Sequence, residues 1–159
     1  MSSQKVPMTP AGERMLREEL KRLREVERPR NVKDIEEARA QGDLSENAEY
    51  HAAKEKQGFI AGQMADIEDK LSRAQVIDPA RLSGERVAFG ATVALVNSAS
   101  GEEVTYQIVG EHEASLERGT ISITSPMARA LLGHEADEEV RVQTPAGVRV
   151  YEIVSVEFK

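Results

Sequence analysis

The chain has 159 residues, a formal net charge of −7, 40% apolar residues, 4% aromatic residues and no cysteine. This excludes disulfides, thiolate metal sites and a cysteine nucleophile, disfavours non-specific binding to a phosphate backbone, and leaves too few aromatics for a reader that stacks bases on rings. The opening residues hold no apolar run of signal-peptide length, and no stretch approaches the roughly 20 apolar residues of a membrane span; the expectation is a soluble cytoplasmic protein.

The chain opens with Thr9-Pro10, an N-cap followed by proline at the first helical position. Leu16, Leu20 and Leu23 follow at helical spacing, and Val26, Val32, Ile35 and Ala38 continue the apolar stripe less regularly. Pro29 falls inside the pattern and is expected to kink the helix or interrupt its hydrogen bonding. After a break at Gly42-Asp43, Ile60, Met64, Ile67, Leu71 and Ala74 step by 4, 3, 4 and 3, a heptad-like seam. Ala48, Ala52 and Phe59 are expected to face roughly the same way. Two amphipathic segments joined by a short break predict an antiparallel helical hairpin, with arms of roughly 45 Å at 1.5 Å per residue. Near the break the seam thins to Ala and Gly, so the far end is expected to be slim. The mixed charges of "REELKRLREVERPR" read as a solvated face with opposite charges three or four residues apart.

Composition changes near residue 78. Residues 1–77 hold 14 Lys+Arg and 15 Asp+Glu, net −1; residues 78–159 hold 7 and 13, net −6. The boundary is therefore placed between 77 and 78. The second part reads as strands: "RVAFGATVALVN", "EEVTYQIVG", "TISIT", "EVRVQT", and, after the turn "TPAG", the long "VRVYEIVSVEF", a strand long enough to bend. "SPMARALLG", with Ser125 as cap, Pro126 next and Gly133 just past the end, predicts one short helix. The expected fold class is α+β in two domains: a coiled-coil hairpin over 1–77, then a small, mainly antiparallel β domain over 78–159 with one short helix.

The break between the helical segments carries Asp43 and Glu46. Structurally, Gly42 suits a left-handed residue ending the first segment. Asp43 can cap the next helix, Asp43-x-x-Glu46 has the spacing of a capping box, and Ser45 is a rival cap. Functionally, two carboxylates are too few donors to cage Ca²⁺. They suit a Mg²⁺ whose other ligands come from another macromolecule, Asp43 holding the ion and Glu46 orienting or deprotonating water. Residue chemistry leaves both roles open. His51, His112 and His134 are too scattered to mark a metal site; the last two read as surface positions. No nucleophile elbow and no glycine-rich phosphate loop is present.

"ARAQGDLSENAEYHAAKEKQGFI" resembles the signature of the bacterial transcript-cleavage elongation factors, the Gre factors. "VPMTPAGERMLREEL", "IEDKLSRAQVID", "VAFGATVALVN", "YQIVG", "SPMARALLG" and "TPAG" extend the likeness along nearly the whole chain. The resemblance implies a C-terminal domain of FK506-binding-protein-like fold that docks on bacterial RNA polymerase. It implies a hairpin passed through the secondary channel, stimulating the polymerase's own cleavage of backtracked RNA 3′ ends. It assigns Asp43 and Glu46 to retaining the polymerase's second Mg²⁺ and activating water, with no cofactor of the chain's own. Arg39 and Lys54 match positions that approach the nascent RNA 3′ end. Gly42, Ser45, Asn47 and Tyr50 match support for the tip, Tyr50 also reading as a packing residue that stiffens the bend. The free protein is expected to be a monomer, not an enzyme by itself and not membrane-bound. Two alternatives differ in class. One is a secondary-channel regulator that does not stimulate cleavage. The other is an independent prolyl isomerase, disfavoured because only Phe89, Tyr106, Tyr151 and Phe158 supply aromatics to the second part.

Overall fold

The computed structural model describes residues 4–42 and 47–159. The chain divides into two units, one formed by Met1–Glu13 with Ala74–Lys159 and the other by Arg14–Arg73. The break in composition at 77/78 thus lies a few residues from the break in packing, and the chain's first residues belong with its last. The reason is a pair of short strands. β1 (Val6–Met8) pairs in parallel with β2 (Ala74–Val76), Val6 opposite Ala74. The Ile77 N–H donates to the Met8 carbonyl at 2.8 Å, and Met8 is fully buried. Ala74, expected to close the helical seam, instead opens β2.

The expected helical hairpin is present. Its first arm runs through α1 (Pro10–Arg22), a π-helical turn over Leu23–Glu27, and α2 (Arg28–Arg39); its second is α3 (Ala48–Ser72). The π-turn answers Pro29. Without an N–H, Pro29 cannot bond the carbonyl four residues back, and its ring collides with it. Widening the preceding turn relieves the clash, and the Arg28 N–H donates to Leu23 O, five residues back. The helix continues, but its phase shifts by one residue. The buried or half-buried positions are therefore Leu16, Leu20, Leu23, Glu27, Asn31, Ile35 and Ala38. Val26 and Val32, expected in the stripe, are 46% and 43% exposed.

On α3 the seam is Ile60, Met64, Ile67 and Leu71, in the expected steps. Ala48, Ala52 and Phe59 do not join it, and Phe59 is 69% exposed, because each lies well off the stripe that Ala53 and Ile60 define. Asn31 donates to the Ala53 carbonyl at 2.9 Å, and Lys56 lies 3.8 Å from Glu27, which fixes the arms as antiparallel. Arg22 binds Glu19 three residues back at 2.6 Å and Glu27 five residues on at 2.7 Å, the second reach following from the π-turn. The Arg22 partnership, chiefly its hydrogen bonds, holds the Glu19 carboxyl below the usual carboxylate range.

The β domain is a five-stranded sheet of β3 (Ala91–Asn97), β4 (Glu103–Val109), β5 (Thr120–Ser122), β6 (Glu139–Thr144) and β7 (Gly147–Phe158), in the order β5-β4-β3-β7-β6. Every pairing is antiparallel except β4 with β5. Arg86–Gly90, expected to lead into β3, stays outside the strand. β7 bends as its length suggests: the register with β3 jumps from Ser155 to Ile153, leaving Val154 unpaired in a bulge. Alternate residues Val93, Leu95, Val140, Val142, Tyr151 and Ile153 bury one face against α4 (Pro126–Leu131). Ser125 caps α4 by accepting from the Ala128 N–H at 3.2 Å, and Gly133 follows with a φ of 86°, as its sequence predicts.

Candidate functional site

The site predicted between the helices is bounded by Gly42 and Asn47. Gly42 takes the positive φ expected of it, 118°, a backbone conformation that a side chain would strain. Its N–H donates to Arg39 O at 3.4 Å, closing the last turn after α2. Asp43, Leu44, Ser45 and Glu46 lie outside the described residues, and with them the roles assigned to Asp43, Ser45 and Glu46.

The cap of α3 is Asn47, neither Asp43 nor Ser45. Its Oδ1 accepts from the Tyr50 N–H at 3.0 Å. Its Nδ2 donates to the Ala38 carbonyl of α2 at 2.6 Å. In Asp-Leu-Ser-Glu-Asn three residue types favour the cap position equally well. Only the residue next to the first helical turn makes the bond here, and that position also reaches the facing helix.

Tyr50 is half-buried one turn into α3, its ring edge-on to His51 with centroids 5.7 Å apart. Arg39 ends α2, next to the residue whose carbonyl Asn47 holds. Lys54 lies a further turn along α3 and donates to Gln57 Oε1 at 2.8 Å. Both basic side chains are exposed. Asn31 is a polar residue that sequence periodicity missed, because the π-turn moves it into the seam in place of Val32; it is 1% exposed.

A second buried polar centre lies in the β domain. Glu113 is 5% exposed. Its Oε2 accepts from the N–H groups of Thr9 at 2.9 Å and Gly110 at 3.0 Å, and its Oε1 accepts from the Thr9 hydroxyl. Thr9 is also the cap expected of it, its Oγ1 accepting from the Gly12 N–H at 3.1 Å. His112, expected at the surface, is half-buried because its Nε2–H donates to the Gly12 carbonyl at 3.2 Å. His134 is partly exposed and bonds Glu138 at 2.6 Å, which holds the Glu138 carboxyl below its ordinary range. Among the described residues, no three His, Asp or Glu side chains are grouped to hold a metal ion, and no helix is long and apolar enough to cross a membrane.

Known proteins match both parts of the chain. A family model described as "Transcription elongation factor, N-terminal" covers residues 6–76, and one described as "Transcription elongation factor, GreA/GreB, C-term" covers residues 82–158. The chain is 61% identical over 155 residues to a protein named Transcription elongation factor GreA from Phenylobacterium zucineum, spanning 98% of this chain and 99% of that one. It is 60% identical, with the same coverage, to the protein of that name from Caulobacter vibrioides. Among solved structures, GreA factor homolog 1 of Thermus thermophilus is 32% identical over 97% of this chain and 99% of its own, with a TM-score of 0.45.

Proposed function

The chain belongs to the GreA/GreB family of transcription elongation factors, and from that membership we propose that it binds bacterial RNA polymerase and stimulates the polymerase's own cleavage of backtracked RNA 3′ ends. The observation that carries this is the near-full-length likeness to factors named GreA. In this reading the bonds broken and made are in the polymerase's active site, and the chain lends groups to it without being an enzyme itself. The β domain docks and the hairpin enters the secondary channel, where an arm only two helices thick fits. Arg39 and Lys54, both exposed, would lie toward the phosphates of the extruded RNA.

Asp43 and Glu46 would provide the decisive carboxylates. Their hard oxygen donors suit Mg²⁺, but two are too few to hold it alone, so the remaining ligands would come from the polymerase and the RNA. When bound, the ion supplies Lewis-acid activation of water. Asp43 would hold it, and Glu46 would orient the water or take its proton. The free protein would be monomeric and act in the cytoplasm. Purified Asp43→Ala and Glu46→Ala proteins should bind polymerase like the wild type yet stimulate cleavage in stalled complexes roughly a hundredfold less. Wild-type cleavage by both variants would remove the two acids from the mechanism.

A further inference from the structure

Asn47 bonds both arms of the hairpin where they approach the connecting segment. Its acceptor takes the Tyr50 N–H, and its donor goes to the buried Ala38 carbonyl. Capping a helix requires only the acceptor, and Ser, Thr or Asp would serve. A primary amide adds a donor on the same rigid plane, and here that donor is directed at α2. One heptad earlier Asn31 makes the reciprocal bond from α2 to the Ala53 carbonyl of α3. Two amide rungs of opposite direction thus register the arms where the seam thins to Ala38 and Ala53.

We propose that Asn47 is a positioning residue for the carboxylates of Asp43 and Glu46, a role that rests on the function proposed above. By tying the first turn of α3 to the last turn of α2, it sets the separation of the two points between which the segment must close. Fixing the ends of a loop narrows the conformations open to the residues between them. A catalytic group displaced by about 1 Å can lose about a hundredfold in rate.

Asn47→Asp separates the two halves of the amide. It keeps a cap acceptor, and its charge suits the positive end of α3, but it cannot donate to Ala38. In stalled complexes, the concentration of this variant giving half-maximal cleavage should match the wild type, while the saturating rate should fall roughly tenfold. A purely structural role would raise the concentration needed and leave the saturating rate alone. Should repulsion between the new carboxylate and the Ala38 carbonyl lower the melting temperature, Asn47→Ser, a cap too short to reach α2, gives the same split. Wild-type saturating rates in both variants overturn the proposal. Wild-type protein and Asp43→Ala run alongside. If the wild type releases no RNA fragments, the function falls and the positioning role with it. If the wild type cleaves, Asp43→Ala does not, and both Asn47 variants match the wild type, only the positioning role fails.

Discussion

At the scale of single residues, the chain's best-satisfied polar group is one that local pattern hides. A buried carboxylate is tolerated only when its oxygens are hydrogen-bonded, and Glu113 takes two bonds from Thr9, 104 residues away, and one from Gly110. Gly12 is glycine for the same reason: a Cβ there would lie 2.5 Å from the Glu113 carboxylate. Glu113→Gln, which turns an amide donor toward groups that are themselves donors, should cost about 1–3 kcal/mol in urea denaturation. Gly12→Ala should cost a similar amount by crowding. Combined with Glu113→Ala, however, the Gly12→Ala penalty should largely disappear, the non-additivity expected of groups in contact. An additive cycle would mean that the two do not meet. Thr9-Pro10 and Ser125-Pro126 were legible as caps because a cap bonds within three residues of itself. Glu113 was not, since nothing near it in sequence names its partner.

At the scale of elements, legibility ended where phase changed. The α3 seam could be read directly, because an uninterrupted helix keeps one period from Ile60 to Leu71. In the first arm the same method placed Val26 and Val32 inside and overlooked Asn31. The one-residue slip at Leu23–Glu27 comes from a steric clash, which hydrophobic spacing does not encode. The adjacent pair Phe59 and Ile60 tests the observed phase. Ile60 is 5% exposed against 69% for its neighbour. Ile60→Ala should lose about 2–4 kcal/mol of stability by thermal or urea melting, whereas Phe59→Ser, despite removing the larger side chain, should stay within about 0.5 kcal/mol. The reverse order would place Phe59 in the seam. The cap of α3 failed to show in sequence for another reason: Asp43, Ser45 and Asn47 are equivalent candidates by type, and only three-dimensional reach selects among them.

At the scale of the whole molecule, the function was legible through long ordered motifs, and the fold class through the change of period between the two parts. The discontinuity of the β domain was not. Strands of three residues carry almost no periodic signal, and β1 and β2 pair across 68 positions. A fragment beginning at residue 78 would lack both strands, buried Met8, and the Thr9 donors of Glu113. It should melt well below a single chain in which residues 1–13 are joined to 74–159 by a Gly–Ser linker, the difference being measured by circular dichroism. Equal melting temperatures would show that the first residues add nothing to this unit.

The same strand pair gives the hairpin an unusual freedom. The chain departs after β1 and returns before β2, two strands that lie side by side, so everything between is an excursion whose ends stay put. Seven residues added to each arm would advance its far end by about 10 Å while preserving the phase of the seam, and no bond within the β sheet would have to change. The hairpin is thus a ruler graduated in heptads. Its length can be selected against the depth of a partner's channel without redesigning the domain that carries it.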